Sequence, residues 1–576
     1  MNRVTHALSV LRRHFAGVGA RGIDFAGRSG PAREPERRQE CRRWAQECAR
    51  HGCPAPAIVL LFLGTALALW SQPAARRPAA RYCNPLSLET SSTDGSPQGV
   101  SLGDVTVVRE GDLYYLFGTG GGAWISRDFV DWKYQAVDVR GARLPVAPHV
   151  VKFNGAFYMS GNNAPLYRAP NILGPYEVLG PWKDEKGEPW SGVSNGRQWT
   201  GAFDVDIFVD DDNKPYLYYP GRSIDGIYGV PLDPKDLTRF LGAPKHLFGF
   251  DRSHVWERWG EHNEYADVAW IEGPWMIKRN GTYYLEYSAS GTQWLSYASG
   301  IYTAKSPLGP FSYSPRNPLM RKTAGIVTGP GHGSIVKGPD GNYWVFYTIV
   351  MANPPGGRRI GMDPVGFDAA GNMFVRGPSE TPQWAPGVVA DPARDGDSGS
   401  VPLSVNKLRA MNQRGSFSSQ RPGHDAAYAL DDSNGTWWEP AEDDAHPTLT
   451  VDLGSITEFE TEQFFTVDSA RIEFVAGRGG FGVGRGRAPG QQPAAPLTGS
   501  PAFRYKIEAS RDGQTFTTIL DKTGNNVTRY TEFDEIPPTD CRYVRLTITD
   551  WPHMGNSPLG ITEFTVFGKA AATVRH

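Results

Sequence analysis

The sequence has little cysteine, almost no net charge and no long apolar run. Its 576 residues include five cysteines, too few for a framework of disulfides, and its formal net charge of −2 gives no electrostatic basis for binding nucleic acid. Between about Tyr82 and Gly377 there is no helical hydrophobic period of any length. The 40% of apolar residues still provide core material for two or more domains, which we expect to be built from strands.

The first part of the chain differs from the rest. Residues before about Ala57 are rich in arginine, and the apolar run Ile58–Trp70 follows them. This run is shorter than the roughly 20 residues of a membrane span, and the small residues after it are typical of a signal peptide: Ala74, Ala75, Ala79 and Ala80. We therefore predict a leader over residues 1–81 and a secreted or periplasmic protein. An uncleaved N-terminal anchor is the alternative, and it would be the only contact with a membrane.

The cysteines divide between this leader and the rest of the chain. Three of them would leave with the leader: Cys41, Cys48 and Cys53. Their spacing has no matching second half that would complete a metal site. Cys83 and Cys541 remain, far apart in sequence, and their pairing is left open.

One short pattern occurs five times: an apolar strand, a polar turn and an aromatic-rich strand. The copies are Val107–Leu116, Val150–Met159, Ile207–Tyr218, Met276–Leu285 and Ile335–Phe346. Asn-Gly and Asp-Gly in the turns supply the positive φ angles of a β-hairpin, and the Tyr, Phe and Val beyond them suit buried strands. Recurrence at roughly 45 to 70 residues is the spacing of propeller blades. The pattern predicts an all-β fold, with a five-bladed β-propeller over residues 82–380.

Acidic residues stand just before three of the five copies. They are Asp104, Asp204 and Glu272, and a propeller brings these positions close to its axis. An Asp before a strand often caps a turn, so each acid alone also has a structural interpretation. Together they can supply the protonated acid and the ionised base that hydrolysis of a glycosidic bond requires. The apolar neighbours of Glu272 favour the acid, the small neighbours of Asp104 favour the base, and Asp204 would keep Glu272 protonated by repulsion.

The composition changes after the predicted propeller. Residues 381–403, rich in Pro, Gly, Ala and Asp, are typical of a linker. Short strands separated by turn signals over residues 404–570 predict a second all-β domain, a sandwich or jelly roll. Within it, the Gly, Pro and Arg insertion over residues 476–500 has too little apolar surface to order itself, so we expect a mobile loop.

Residues 82 to about 380 resemble the family 43 glycoside hydrolases, inverting enzymes with a five-bladed propeller. The matching segments are Gly103-Asp104 with Tyr114–Phe117, Phe203-Asp204 with Phe208–Asp212, Ile271–Pro274, and Gly329–Ile335. The resemblance implies that Asp104 is the general base, Asp204 the residue that adjusts the pKa of the acid, and Glu272 the general acid. It also implies that His332 faces the axis near a calcium or sodium ion. An arginine of Gly357–Ile360 should reach the substrate, and of Arg358 and Arg359 we favour Arg358.

The sequence also departs from this family. Val105 and Val205 follow two of the acids where members commonly have proline. The second blade begins Val146-Ala-Pro-His149 where members usually have Trp-Ala-Pro, so one sugar-stacking wall is lost, and His149 would replace it by hydrogen bonding. The candidates for stacking on a sugar ring are Trp124, Phe203 and Trp270, each of which is equally suited to a core.

Residues 404–570 resemble the discoidin or coagulation factor 5/8 C-type domains, the fold of family 32 carbohydrate-binding modules. The matching segments are Asp431 with Thr436–Trp438, Val451–Gly454, Arg542–Leu546 and Gly560–Glu563. The resemblance implies a structural calcium near Asp431, Thr436 and Glu563. The loop tips that bind sugar in such modules cannot be identified from this sequence.

The combined expectation is an exported inverting glycoside hydrolase that acts on polysaccharides or oligosaccharides and needs no cofactor for its chemistry. The released sugar would be a terminal arabinofuranosyl, xylosyl or galactofuranosyl unit. The alternative is a non-catalytic glycan-binding protein that kept its blades and lost turnover. A sialidase-like propeller would require three clustered arginines and a tyrosine nucleophile, and the sequence has no such pattern.

Overall fold

The computed structural model describes residues 80–90, 101–190, 193–194, 197–198, 202–221, 223–353, 357–406, 416–454, 464–475, 498–553 and 559–571. Within these ranges strands dominate, and the helical elements are one short α-helix, α1 (Pro392–Asp395), and two 3-10 turns, Val255–Glu257 and Ala426–Leu430. None of these described helices is long and apolar enough to cross a membrane. Residues 1–79 of the predicted leader, with its three cysteines, and residues 476–497 of the predicted loop lie outside the described residues.

Five antiparallel sheets follow one another along the chain, one for each predicted blade. Blade 1 is β2 (Gly103–Glu110), β3 (Leu113–Thr119), β4 (Ala123–Ser126) and β5 (Lys133–Gln135), and blade 2 is β6 (Val146–Phe153), β7 (Ala156–Asn162), β8 (Leu166–Ala169) and β9 (Glu177–Gly180). Blade 3 is β12 (Asp206–Val209), β13 (Pro215–Pro220), β14 (Ile227–Asp233), β15 (Asp236–Phe240) and β16 (Lys245–Phe248). Blade 4 is β19 (Glu272–Arg279), β20 (Thr282–Ala289), β21 (Ala298–Ala304), β22 (Ser312–Tyr313) and β23 (Met320–Arg321), and blade 5 is β24 (Gly331–Lys337), β25 (Tyr343–Met351), β26 (Gly357–Phe367) and β27 (Met373–Val375).

The first strands of the blades surround one axis. Strand β2 contacts β6, β6 contacts β12, β12 contacts β19, β19 contacts β24, and β24 returns to contact β2. Two-stranded ribbons complete this region: β1 (Arg81–Tyr82) with β28 (Gln383–Trp384), β10 (Val193–Ser194) with β11 (Arg197–Gln198), and β17 (Arg258–Trp259) with β18 (Tyr265–Ala269). The predicted five-bladed propeller is confirmed.

The predicted hairpin turns have the expected backbone. Asn154 and Gly155 have φ angles of 46° and 78°, and Asn280 and Gly281 have φ angles of 50° and 72°. Two consecutive positive φ angles are the signature of a type I′ turn, whose twist matches that of the strands on either side.

One residue at the start of each inner strand, or just before it in blade 3, lies in the left-handed region. These residues are Asp104 (φ 51°), Ala147 (47°), Asp204 (39°), Gly273 (60°) and His332 (45°). The register of the first strand pair shifts at this point in blades 1, 2, 4 and 5, as in a β-bulge. Four of the five residues are not glycine, and this costly conformation is typical of functional sites. The bulge redirects the side chains at the start of each strand relative to the rest of the sheet.

A side chain two residues further along links each of four blades to the next one. His149 Nε2 accepts from Ile207 N (3.0 Å), Asp206 Oδ2 accepts from Met276 N (2.8 Å), Trp275 Nε1 donates to Ile335 O (3.0 Å), and Ser334 Oγ accepts from Val107 N (3.1 Å). Each bond contributes about 1 kcal/mol. These links fix the rotation from blade to blade and therefore the position of the acids.

The second domain is a sandwich of two antiparallel sheets. One sheet has the order β29 (Val401–Pro402), β36 (Ile561–Ala570), β31 (Phe465–Phe474) and β34 (Thr531–Cys541). The other has the order β30 (Thr448–Asp452), β35 (Tyr543–His553), β32 (Thr498–Ser510) and β33 (Thr517–Asp521). The core between them includes Trp438, Ile507 and Phe564, all without exposed surface. Strand β29 places the first residues of the sandwich just before the predicted boundary at residue 404.

Two buried charged residues of the sandwich, Arg471 and Glu473, bind groups of the propeller and of the segments next to it. Arg471 is fully buried and donates to Asn84 O at 2.7 Å and Glu380 O at 3.0 Å. Glu473 receives the guanidinium of Arg359 at 2.7 Å. Removing one partner would leave a buried charge uncompensated, so these bonds hold the two domains together. Cys83 and Cys541 are both buried and both free, so they do not form a bridge.

Candidate active site

The three predicted acids lie at the inner ends of blades 1, 3 and 4. Asp104 is 7% exposed, and Asp204 and Glu272 are each 4% exposed. His332, at the start of blade 5, joins two of them, because its Nδ1 lies 3.3 Å from Asp104 Oδ1 and 3.7 Å from Asp204 Oδ2. Burial and then the charge of Asp204 raise the pKa of Glu272. Residues distant in sequence thus form one cluster of acids at the propeller axis.

Asp104 is held as a carboxylate. Its Oδ1 accepts from Arg358 at 2.7 Å and its Oδ2 from Thr119 Oγ1 at 2.6 Å, while its backbone N–H donates to Thr348 Oγ1 at 2.8 Å. Burial opposes ionisation, but the cations Arg358 and His332 outweigh it and hold the pKa of Asp104 well below its usual range. Asp104 is therefore ionised at any pH at which the protein works.

Glu272, in contrast to Asp104, is held in its protonated form. Burial, followed by the charge of Asp204, raises the pKa of Glu272 to about 8. Tyr297 donates its hydroxyl to Oε1 at 2.7 Å, and Trp270 donates its Nε1 to Oε2. Tyr297 fits only because residue 331 is glycine, since a Cβ there would lie 2.4 Å from the tyrosine ring. A protonated carboxyl group at neutral pH is what a general acid requires.

Asp204 and His332 lie between these two groups. The backbone N–H of Asp204 donates to Asn162 Oδ1 at 2.5 Å, and that of His332 donates to Ser288 Oγ at 2.6 Å. Although burial lowers the pKa of His332, the carboxylates of Asp204 and Asp104 raise it to about 9. Burial raises the pKa of Asp204 above its usual range, and the charge of His332 opposes this shift. The cations Arg358 and His332 thus face the carboxyl groups of Asp104 and Asp204.

Of the predicted substrate-binding residues, Phe203, Trp270 and Arg358 lie beside the acids, whereas Trp124 and His149 do not. Phe203 and Trp270 are partly exposed beside Asp204 and Glu272, with their ring centroids 6.3 Å apart. Arg358 is buried and reaches Asp104, whereas Arg359 points to the sandwich. A Cβ on Gly103 would lie 2.6 Å from Arg358 Nε, so glycine makes room for this guanidinium.

Two of these predictions are wrong. Trp124 has no exposed surface, donates Nε1 to Glu89 O at 2.6 Å and packs in the core between blades 1 and 5, so it cannot stack on a sugar. His149 is 3% exposed and accepts from the backbone of blade 3. Burial lowers the pKa of His149 to about 3, which leaves a neutral ring that links blades. Both residues stabilise the fold.

Several residues that contact the acids or His332 were not predicted from the sequence. Thr119, Asn162, Ser288, Tyr297 and Thr348 hold the acids or His332, yet they lie on second strands or in the connection after β20. Four of these residues lie on the second strands of their blades, beside the axis, and an alignment of the five second strands would mark these four. Tyr297 has no counterpart in such an alignment.

The predicted metal sites stay predictions. Within the described ranges no group of three or more His, Cys, Asp or Glu residues is arranged to hold a metal ion. In the sandwich, Glu563 is fully buried, its Oε1 has no hydrogen-bond partner, and its pKa is raised well above the usual range by burial, against the opposing charge of Arg471, and further by Asp431 and Asp432. An unpartnered carboxyl oxygen of this kind fits a hard cation such as calcium. Thr436 donates its hydroxyl to Asp431 at 2.8 Å.

The fold and the paired acids define a propeller with the site of a glycoside hydrolase, and the comparisons give its family. Residues 99–373 match the family model described as glycosyl hydrolases family 43, and residues 492–564 match that of the F5/8 type C domain. The propeller of this chain is therefore a family 43 glycosyl hydrolase domain, followed by an F5/8 type C domain. Both resemblances drawn from the sequence are confirmed.

The chain is similar to several curated proteins and solved structures. It is 34% identical over 193 residues to a β-D-galactofuranosidase of Aspergillus niger, covering 33% of this chain and 48% of the relative. It is 24% identical over 298 residues to a xylan 1,3-β-xylosidase of a Vibrio species, covering 46% of this chain and 49% of the relative. The chain thus spans about half the length of these relatives. A thermostable family-43 glycoside hydrolase of known structure aligns with 53% of this chain and 99% of its own, at 27% identity and a TM-score of 0.43.

Proposed function

We propose that this protein is an exported, inverting glycoside hydrolase that releases terminal arabinofuranosyl, xylosyl or galactofuranosyl units from polysaccharides or oligosaccharides. The observation that carries the proposal is the contrasting surroundings of two carboxyl groups in one cluster: Asp104 is paired with the cations Arg358 and His332, whereas Glu272 is buried and receives the neutral donors Tyr297 and Trp270. The pKa of Asp104 lies below its usual range and that of Glu272 is raised to about 8. A single displacement requires a base and an acid of this kind on opposite faces of the sugar.

The roles follow from these contacts. Glu272 gives its proton to the leaving oxygen while Asp104 takes a proton from the attacking water. Arg358 and Thr119 fix the carboxylate of Asp104, and Tyr297 and Trp270 fix the carboxyl of Glu272. Asp204 and His332 position the acids and set their charge. No step requires the predicted calcium or sodium ions, and calcium near Glu563 would support the sandwich alone.

The stereochemistry of the product tests the proposal. We expect proton NMR of the first minutes of hydrolysis to show the anomer opposite to that of the substrate. A panel of aryl pentofuranosides, pentopyranosides and galactofuranosides provides the substrates and also identifies the sugar. Retention of configuration would contradict the single displacement, and no release from any member of the panel would favour a glycan-binding protein. Export is tested by the N-terminal sequence of protein recovered from the medium.

The variant Tyr297→Phe should move the pH profile upward. The tyrosine hydroxyl stabilises the ionised form of Glu272, so its loss raises the pKa of this acid further above about 8. The alkaline limb of kcat/KM should therefore shift to higher pH. Tyr287→Phe is the matched control, because Tyr287 donates to the carboxyl of Glu257, outside the acid cluster. A limb that stays in place or moves to lower pH would contradict this assignment of Tyr297.

A further inference from the structure

Two consecutive arginines of β26 connect the active site to the sandwich. Successive side chains of a strand point to opposite faces, so Arg358 and Arg359 leave the strand in opposite directions. Arg358 donates to Asp104 Oδ1 at 2.7 Å, and Arg359 Nε donates to Glu473 Oε1 at 2.7 Å. Both arginines are buried. The carboxyl group of Asp104 and that of Glu473 in the sandwich are therefore bound by neighbouring residues of one strand.

The guanidinium of Arg359 also binds the backbone of its own strand. Its Nη1 donates to the carbonyl oxygen of Arg358 at 3.1 Å, while its Nε is bound to Glu473. The planar, rigid fork of a guanidinium fixes the angle between such bonds. The orientation of the Arg358 carbonyl, and with it the start of the Arg358 side chain, therefore depends on the position of Glu473.

Glu473 is firmly held within the sandwich. It has no exposed surface and lies on β31, which pairs with β34 on one side and with β36 on the other. Thr531 of β34 donates its hydroxyl to Glu473 Oε2, and the cations Arg359 and Arg471 both face the carboxyl group. A residue on an inner strand with these contacts is a rigid support for the Arg359 guanidinium.

The guanidinium of Arg358 has little room to adjust by itself. A Cβ on Gly103 would lie 2.6 Å from Arg358 Nε, so β2 packs directly against this side chain. A shift of the β26 backbone at Arg358 would therefore move the guanidinium relative to Asp104. A displacement of ~1 Å at a reacting group can lower the rate by up to about a hundredfold.

We propose that Glu473 is a positioning residue of the active site, which acts through Arg359 on the backbone of Arg358 and so on the carboxylate of Asp104. The inference depends on the proposed function, in which Asp104 is the general base. The sandwich then contributes to catalysis from a distance, without touching the substrate. This contribution does not depend on glycan binding by the sandwich.

The double variant Glu473→Leu/Arg359→Met tests this connection. It removes both partners together, so that neither is left buried without the other, and the fold should be retained. The carbonyl of Arg358 loses its donor, which leaves the Arg358 side chain less well placed. For an aryl glycoside that wild type hydrolyses, kcat/KM should fall about tenfold, within the loss expected for a misplaced catalytic group.

The pH profile distinguishes a positioning role from a general loss of stability. Two cations and two other acids face Asp104: Arg358, His332, Asp204 and Glu272. Because Arg358 lowers the pKa of Asp104, a displaced Arg358 lets this pKa rise. The acidic limb of kcat/KM should therefore move to higher pH in the double variant. Near-ultraviolet circular dichroism at each pH shows whether the fold is retained.

Two single variants complete the test. Arg359→Lys keeps a cation beside Glu473 but lacks the planar fork, so it should move the acidic limb in the same direction. Asp468→Asn is the matched control, because Asp468 also lies on β31 and binds Arg81 Nη1 at 2.9 Å, outside the acid cluster. Arg81 keeps Glu535 as a partner, so this variant should fold and leave kcat/KM and the acidic limb at wild-type values.

Failure of this inference and failure of the proposed function give different results. If wild type hydrolyses glycosides but the folded double variant keeps both the rate and the acidic limb, Glu473 is not a positioning residue and the hydrolase stands. An equal loss of rate in Asp468→Asn, or a loss with the acidic limb in place, would mean that these contacts act on stability alone and would also refute the inference. If wild type hydrolyses no glycoside, the proposed function is refuted and the inference with it.

Discussion

Replacing Glu272 by glutamine should lower kcat/KM for a disaccharide by about a thousandfold, within the range of general acid catalysis. Glutamine keeps the size of the side chain and can accept from Tyr297, but it has no acidic proton for the leaving oxygen. The loss should be much smaller for a 2,4-dinitrophenyl glycoside, because that leaving group departs without protonation. Initial rates on the two substrates measure the difference.

Glu286 offers a matched control for this variant. It lies on β20 of the same blade, is fully buried, and burial raises its pKa to about 8, so it too is neutral near pH 7. Glu286→Gln exchanges one neutral group for another of the same shape and should leave both rates near wild type. Equal losses on both substrates in Glu272→Gln would contradict the role of Glu272 as the acid.

The charges of the cluster predict the working pH. Activity requires ionised Asp104 and protonated Glu272. Because the pKa of Asp104 is depressed, its carboxylate persists as pH falls through the usual range of aspartate. Because the pKa of Glu272 is raised to about 8, its proton is lost as pH rises beyond that value. The active window therefore lies on the acidic side of pH 8. It is wide because Arg358 lowers the pKa of Asp104, whereas burial and the charge of Asp204 raise the pKa of Glu272.

Local patterns were enough to predict the propeller. A type I′ turn needs residues that tolerate positive φ angles. Asn154-Gly155 and Asn280-Gly281 are pairs of this kind, so the turns could be recognised in the sequence. Rotation about one axis then brings the strand starts together, so three acids far apart in sequence could be placed in one site. The same reasoning could not show which neighbouring residues contact these acids and which belong to the core. In the sequence, a tryptophan next to a turn looks the same whether it contacts the acids, as Trp270 does, or lies in the core, as Trp124 does.

The direction of the His149 side chain explains why its predicted role in sugar binding was wrong. The absence of the usual tryptophan at the second blade suggested that a nearby polar residue would take over sugar binding. The side chain two residues after Ala147 instead points to the next blade, as its equivalents Asp206, Trp275 and Ser334 do. The bulge at the start of the strand sets this direction, and a bulge is a property of the strand pair that one strand alone does not reveal.

Replacing Asp104 by alanine should lower hydrolysis by up to about ten-thousandfold, the upper end of general base catalysis, because water then has no group to take its proton. The change also removes an anion from beside Arg358 and His332, which leaves a small space facing two cations. Azide is a small anion and attacks without losing a proton, so it should occupy this space and restore turnover of a 2,4-dinitrophenyl glycoside.

The configuration of the azide product distinguishes a mechanism with inversion from one with retention. Attack by azide from the position of the lost carboxylate should give a glycosyl azide of inverted configuration, which NMR identifies. Asp104→Asn is the matched control, because its amide fills the space and should admit little azide. An azide product of retained configuration would mean that Asp104 is not on the face from which water attacks. Inversion, in contrast, requires that the carboxylate held by Arg358 and Thr119 lie opposite the leaving group protonated by Glu272, the arrangement that a single displacement demands.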